Sequence, residues 1–494
     1  MSISTALQML RSHGRAAASF QILTSDLNYW FAGQACVAYA DVGGAWVALG
    51  GPVGPKEREA ETTRLFVEEA RRRGKRVRFF AFESEVPAGA GLTALHIGEQ
   101  PVWNPADWPH SLPTKMRGQL RRDLKKAVVS LRLATPAEIE DPTSPTRRGL
   151  DEVISQWLDS RKMAPMDFMV QLNPYYLARE RRFFVAELEG KVVAALIAVP
   201  VYGRNGWFLE TLLRDPRAPN GTVELLFSHA METFAAGGSS YVTFGLCPLS
   251  GASDSLTKLI RRGARSFYNF DGLRKFKGKL GPSEWEPVYL AFPEGDNAVL
   301  AMVDSLRAFL GGGFVRFGLR TMVQRASAVS AVIAALLLPW TVLLAFADTA
   351  HWFPSRAVQL GWVALDLVLL GGFVSLARKF QKPLALALAA GAGLDFGLSC
   401  LQFGSHNMER AHGVDWLFSA VGILAPLVCA LFLWFSRNRN QLYTPTVATP
   451  TTTVSVRRPL RPKRAEARLE LTDSSVQKRV RAVAPESLPE QSAS

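Results

Sequence analysis

From Ala326 onward the chain contains four apolar runs unlike anything in its first 300 residues. Ala326–Ala347 spans about 22 residues without a charge, enough to cross a hydrocarbon core about 30 Å thick. Val358–Leu376 and Pro383–Phe403 are each interrupted by one acid, Asp366 and Asp395. Trp416–Phe435 is bracketed by Trp416 and Trp434 at the depths where aromatic belts sit. Four such runs joined by short polar loops predict a membrane bundle over 326–436 rather than four buried helices of a soluble domain.

The loops predict the orientation. Arg316, Arg320 and Arg325 precede the first run, Arg378, Lys379 and Lys382 separate the second from the third, and Arg437 and Arg439 follow the fourth. The two opposite loops hold Asp348, His351, Arg356, Glu409, Arg410, His412 and Asp415, whose charges nearly cancel. Lys and Arg accumulate on the cytoplasmic side, so both termini and everything before Ala326 are expected in the cytoplasm. Met1–Ser19 carries Arg11, His13 and Arg15 and no continuous apolar core, so it does not read as a signal peptide. Residues 437–494 turn to Thr, Pro, Val and Arg without periodicity and read as a disordered basic tail. The net charge of +14 fits an anionic partner, nucleic acid or anionic lipid. A mean hydropathy of +0.07 is therefore the average of unlike regions. Four scattered cysteines, Cys36, Cys247, Cys400 and Cys429, form no CxxC pair, and no HExxH or other metal spacing occurs, so neither a disulfide scaffold nor a metal site is expected.

Before the apolar runs, strand-like and helical segments alternate. Cys36–Tyr39 and Trp46–Leu49 predict a hairpin around Gly43-Gly44, Glu57–Arg73 a helix stopped by Gly74, and Val77–Phe82 a strand. After the polar stretch 104–113, Lys115–Val129 and Glu152–Arg161 read as helices, and Phe183–Glu187 with Val192–Val199 as a hairpin across Gly190. Trp207–Leu213 is expected as a strand, Val223–Ala235 as a helix and Tyr241–Leu246 as a strand. The fold class is α+β, with one pattern run twice.

Several blocks carry a resemblance. They include Met9–Gly14, Tyr29-Trp30-Phe31, Ala48–Gly54, Leu95–Glu99, Arg214–Glu224 and Gly245–Ser250. The most specific is Phe267–Lys277, continuing through Trp285-Glu286-Pro287 to Tyr289-Leu290. Over roughly residues 5–293 the chain resembles the catalytic domain of the aminoacyl-phosphatidylglycerol synthases, the lysyl- and alanyl-phosphatidylglycerol synthases of the multiple peptide resistance factor family. The resemblance implies tandem acetyltransferase-like (GNAT-like) subdomains, over 1–110 and 111–295, the second being the catalytic one. A basic juxtamembrane linker (296–325), the four spans and the tail then follow. It further implies transfer of an aminoacyl group from aminoacyl-tRNA to a phosphatidylglycerol hydroxyl on the cytoplasmic leaflet, a reaction linked to resistance against cationic antimicrobial peptides. No cofactor is implied, because the tRNA ester is already activated.

Such an ester exchange needs a base or polarising group for the lipid hydroxyl, a donor for the developing oxyanion, and cations for phosphate. Glu210 and Arg214, four apart, are candidates for base or amine-binding carboxylate and for phosphate or oxyanion donor. By spacing alone they also read as a surface ion pair; the resemblance favours a shared cleft. Lys277 joins them as a catalytic candidate. Asn220, Gly221 and Glu224 predict a turn and cap whose helix N-terminus offers N–H groups to an anion. Arg274, Lys279, Trp285, Glu286 and Tyr289 are expected to bind substrate, the basic–aromatic mixture suiting a tRNA 3′ end or a lipid headgroup. Lys115, Arg117, Arg121 and Arg122 form a second basic cluster for tRNA or anionic lipid. Asp366 and Asp395 are intramembrane polar candidates, for a shared proton, a cation or a lipid amine, or for helix packing. Among the histidines, His229 reads as structural. Arg71–Arg76 matches a coenzyme A pyrophosphate loop only as far as Gly74. A GNAT-like acyltransferase using coenzyme A or acyl-carrier protein, and a non-catalytic lipid- or RNA-binding membrane module, remain the alternative readings.

Overall fold

The computed structural model describes residues 3–24, 27–83, 86–110, 112–125, 128–159, 168, 174–251, 270–311, 313–346 and 352–437. The tail from 438, the Phe267–Asn269 start of the most specific block, and parts of the 152–161 helix and the loops around Asp348 and His351 lie outside the described residues.

After helix α1 (Ile3–His13) comes an antiparallel meander, β1 (Asn28–Ala32), β2 (Ala35–Asp41) and β3 (Ala45–Leu49). The β2–β3 hairpin closes where Val42 N–H donates to Ala45 O at 3.0 Å over Gly43, whose φ of 85° favours glycine. Helix α2 (Glu59–Arg72) then crosses to β4 (Arg76–Phe82), parallel to β3. Phe66 and Ala70 of α2 are buried against Trp46 and Phe79, each large apolar side chain contributing about 1.5–3 kcal/mol by leaving water. Strand β5 (Leu92–Trp103) and helix α3 (Thr114–Lys125) lead into the second cycle.

That cycle repeats the first. After β6 (Ser130–Ala134) and helices α4 (Pro136–Glu140) and α5 (Pro145–Asp159) come β7 (Arg182–Leu188), β8 (Lys191–Val201) and β9 (Gly206–Arg214), all antiparallel. Glu189 and Gly190 take φ of 51° and 75°, the pattern of a type I′ hairpin turn. Helix α6 (Thr222–Ala236) crosses to β10 (Tyr241–Thr243), parallel to β9. The short β11 (Cys247–Pro248), α7 (Phe270–Lys279) and β12 (Glu284–Pro293) complete the region.

The last strands are exchanged between the repeats. β5, from the first, pairs with β10 of the second (Val242↔Trp103), whereas β12, from the second, pairs with β4 of the first (Leu290↔Phe80). β5 and β12 also pair with each other along their length. The sheet order is β1-β2-β3-β4-β12-β5-β10-β9-β8-β7-β6, a tandem acetyltransferase-like arrangement in which each half completes the other's sheet. One face packs against α2 and α6; the other carries a core that includes Ala6 and Leu10 of α1 and extends beneath α5.

Residues 296–325, expected as a linker, contain two helices, α8 (Ala298–Phe309) and α9 (Phe314–Gln324). Asn297 Oδ1 caps α8, accepting from Val299 N–H at 2.9 Å and Leu300 N–H at 3.1 Å. The inner side of α8 docks on the sheet, where Asp304 meets Arg76 and Arg78 of β4. Four helices then follow, each long and apolar enough to cross a membrane: α10 (Ala326–Phe346), α11 (Arg356–Arg378), α12 (Lys382–Gln402, continued by a π turn over Phe403–Asn407) and α13 (Asp415–Ser436).

Candidate active site

The β9-to-α6 connection carries Arg214, Asp215, Arg217 and Asn220. Asp215, nearly buried, accepts from Arg217 N–H at 2.8 Å and pairs with the Arg217 guanidinium, fixing the turn's first half. Arg214 Nη2 donates to Ala218 O at 2.7 Å and lies 3.4 Å from Asn220 Oδ1. Its buried Nε has no hydrogen-bond partner among the described residues. Gly221 then turns the chain into α6 with φ of 90° and gives the helix no side-chain cap, and Thr222 N–H donates to Pro219 O at 3.3 Å. Glu224 stands in the helix's first turn, half-buried. Among the described residues it makes no ion pair.

Helix α3 lies beside this turn. Leu120 and Met116 pack into the α6 core, and Asp123 sits against Gly221: a Cβ added there would lie 2.9 Å from Asp123 Cγ. Lys115, Arg117, Arg121 and Arg122 are all exposed on α3. The structure thus brings Arg214, Asn220, Gly221, Glu224 and the basic helix together.

Glu210 is not part of that group. The β8–β9 register shifts between Ile197↔Thr211 and Ala198↔Leu209, making Glu210 the extra residue of a β-bulge. Leu209 and Leu212 consequently join the α6-side core while Leu213 joins the core under α5. The bulge reverses the parity that would put residues four apart on opposite ends of one face. Glu210 pairs instead with the buried Arg181, which lies over the Phe20 ring and donates to Tyr176 O at 2.9 Å.

Around α7 and β12, Arg274 pairs with Glu99 at 2.8 Å and lies 4.5 Å over the Trp285 ring. Lys279 is exposed. Lys277 is buried, and its ammonium donates to three backbone carbonyls, Phe244 O at 2.9 Å, Gly245 O at 3.0 Å and Leu246 O at 3.3 Å. These partners close the bend between β10 and β11. Burial pushes the Lys277 ammonium below its ordinary range, with the neighbouring Cys247 opposing that shift. Glu286 points to the opposite face, where it pairs with Arg204 at 2.6 Å and accepts from Gln100 Nε2 at 3.0 Å and Tyr241 OH at 3.3 Å. Glu83 joins this network, accepting from Ala17 N–H at 2.9 Å; burial pushes its carboxyl up against the pull of that N–H and of Arg204. Tyr289 packs with the α2-side core, its ring 5.6 Å from His96. The substrate-binding candidates are therefore divided between the two faces.

Arg181, Arg204, Glu83 and Asp123 carried no sequence signal, and Glu99, the end of one resemblance block, had no role assigned to it. Long separations hide such pairs, as with Arg204 and Glu286, 82 positions apart. His229 lies on α6 with its ring edge-on to Phe184 at 5.8 Å, and its buried Nε2 has no hydrogen-bond partner among the described residues. Arg71–Arg76 forms the end of α2 and the start of β4, not the strand-to-helix turn that a pyrophosphate loop occupies. Among the described residues no cluster of His, Cys, Asp and Glu has metal-ligand geometry.

Residues 7–292 match the family described as "Phosphatidylglycerol lysyltransferase, C-terminal". The chain belongs to this family. Phosphatidylglycerol lysyltransferase of Bacillus subtilis is 24% identical over 313 residues, covering 59% of this chain and 35% of that protein. The lysylphosphatidylglycerol biosynthesis bifunctional protein LysX of Mycobacterium tuberculosis is 25% identical over 282 residues, covering 53% of this chain and 23% of that one. The chain thus matches about a third or less of the length of these relatives. Among solved structures, the C-terminal domain of a putative lysylphosphatidylglycerol synthetase from Agrobacterium fabrum superposes with a TM-score of 0.55 at 24% identity, covering 63% of this chain and 97% of that one. L-PGS from Bacillus licheniformis gives 0.53 at 21%, covering 62% and 96%. These likenesses show the fold alone.

Proposed function

We propose that this protein transfers an aminoacyl group from aminoacyl-tRNA to the headgroup hydroxyl of phosphatidylglycerol or a related lipid on the cytoplasmic leaflet. The observation that carries this reading is Arg214, its Nε without a partner among the described residues, beside an α6 N-terminus without a side-chain cap and next to a helix with four exposed cations. A phosphate held there meets a guanidinium and backbone N–H donors at once. Family membership supplies the class of reaction, and the relatives' names supply phosphatidylglycerol and lysyl transfer as substrate and donor classes.

In this reading the lipid hydroxyl loses its proton to a carboxylate and attacks the aminoacyl ester carbon. Arg214 and the N–H groups stabilise the tetrahedral oxyanion, and the tRNA ribose oxygen leaves with a proton. We assign the base to Glu224, a carboxylate in the first turn of α6 that makes no ion pair among the described residues. Glu210, neutralised by Arg181, and Lys277, held by three carbonyls, become positioning groups. The Arg274–Trp285 pair offers a cation and a ring for the tRNA 3′ end, and Lys115, Arg117, Arg121 and Arg122 offer further phosphate contacts.

Anchoring fits the same reading. Helix α9 runs directly into α10, and its Phe314, Val315, Leu319 and Met322 are exposed, Val315 by 79%. An apolar stripe with Arg316 beside it suits the bilayer interface. With the Lys/Arg-rich loops inside, both termini and the sheet region lie in the cytoplasm.

The test is chromatography of lipids from cells expressing the full chain, fed each labelled amino acid in turn, and of lysates with and without RNase. The reading requires one new labelled lipid whose formation RNase abolishes. RNase-resistant labelling would replace the tRNA donor with another acyl donor, and the absence of any labelled lipid would refute transfer.

A further inference from the structure

The four apolar helices enclose a space between two hairpins, α10 packed along α11 and α12 along α13. It is a cavity of about 440 Å³. Its walls are largely apolar and aromatic, with Trp340, Trp362, Phe373 and Phe418 among them, and two carboxylates, Asp366 of α11 and Asp395 of α12, line it. Asp366 is 4% exposed and Asp395 8%. Each has one weak neutral donor: Thr341 Oγ1 lies 3.5 Å from Asp366 Oδ2, and Ser399 Oγ lies 3.2 Å from Asp395 Oδ1. Asp366 Oδ1 and Asp395 Oδ2 accept nothing among the described residues, and no cationic side chain among those residues pairs with either group.

A carboxylate at this depth costs several kcal/mol unless a positive charge or a proton accompanies it. Two of them facing one cavity leave room for a cation. The aromatic walls narrow the choice, because indole and phenyl faces attract an organic ammonium and add little for a small hydrated metal ion. Among the described residues no group of three His, Cys, Asp or Glu side chains is placed to hold a metal ion. The apolar remainder of the lining suits hydrocarbon rather than a free amino acid.

We propose that this cavity binds the primary ammonium of a lipid headgroup, the Asp366 and Asp395 carboxylates taking its charge, Trp340 and Trp362 its faces, and the apolar walls its acyl chains. Two sources present that chemistry, an aminoacyl ester of phosphatidylglycerol and phosphatidylethanolamine. The site stands on the cavity's own groups and does not depend on the transferase reading.

The test uses the purified full chain in detergent, titrated with lysyl-phosphatidylglycerol, phosphatidylethanolamine or phosphatidylglycerol and followed by tryptophan fluorescence and thermal midpoint. Saturable binding of one or both ammonium lipids, with phosphatidylglycerol inert, is the expected result. Saturation by lysyl-phosphatidylglycerol alone identifies the aminoacyl lipid as the source; equal saturation by both identifies lipid amines as a class. The nearly isosteric D366N/D395N double variant should weaken binding at least about tenfold, the scale of a lost desolvated cation contact. Aminoacyl transfer, measured separately, should be unchanged in that variant. On the unaltered chain, dodecylamine should displace the bound lipid and dodecanoate should not, which keeps the proposal testable if the double variant fails to fold. Equal binding of all three lipids, unchanged affinity in a folded double variant, or displacement by dodecanoate as readily as by dodecylamine would each overturn it.

Discussion

Asp304 Oδ2 lies 3.2 Å from Arg78 Nε, 226 positions earlier in the chain, and both side chains are at most 1% exposed. The same carboxylate receives Arg76 Nη2 at 2.8 Å. Helix α8 is thereby clamped to β4, the strand against which the second repeat's β12 also lies. Removing Asp304 takes from the buried Arg78 one of its two carboxylate partners, Asp296 remaining, so the cost should fall below the about 3–5 kcal/mol of a fully unpaired buried charge. Asp304→Ala should lower the thermal midpoint of the full chain by several degrees, whereas Arg76→Ala, on a partly exposed side chain, should cost less. Equal effects would remove the buried pair's special role.

Gly221 gives a second prediction. Its φ of 90° and its 2.9 Å approach to Asp123 Cγ are independent penalties for any side chain. Gly221→Ala should destabilise by about 1–3 kcal/mol through backbone strain and crowding. Adding Asp123→Ala should recover only the crowding part, so the double-mutant cycle should show coupling. Additive melting shifts would mean that α3 does not press on this turn.

How much of this was legible follows from where the signals lay. The β2–β3 and β7–β8 hairpins, α2 and α6 were readable because turn glycines and helical spacing are local. β5 and β12 were missed: they sit at the centre of the sheet and read as neither clean alternation nor a uniform apolar run, His96, Glu99 and Gln100 interrupting one and Glu286 and Pro287 the other. The repeat was visible; the exchange of its last strands was not, because pairing across the sheet leaves no sequence period. At the site, Arg214 and the turn into α6 were readable as a motif, though the expected side-chain cap is not formed. The bulge at Glu210 was not, and that single extra residue separates Glu210 from Arg214.

The cap of α4 predicts an acid response. Burial pushes the Glu138 carboxyl up, but hydrogen bonds from Thr135 N–H, Thr146 OH and Thr135 OH, with Arg132 nearby, outweigh it and hold the group at about 2. A carboxylate depressed in the folded state stabilises fully above its unfolded pKa, near 4.5, and loses that contribution as pH falls toward 2. Glu138→Gln should therefore lower stability by about 1–2 kcal/mol at pH 7 and by progressively less on acidification. A pH-independent difference between the two proteins would exclude this linkage.

The most direct test of the central claim is transfer by the purified full chain in phosphatidylglycerol vesicles supplied with radiolabelled aminoacyl-tRNA. Label should move into lipid with the cognate aminoacyl-tRNA and stop with RNase. Arg214→Ala and Glu224→Gln should each reduce the rate about 10²-fold or more, as expected on losing an oxyanion donor or a general base, while Glu210→Gln should act mainly through stability. No transfer with any aminoacyl-tRNA, or full activity in a folded Arg214→Ala protein, would contradict the account.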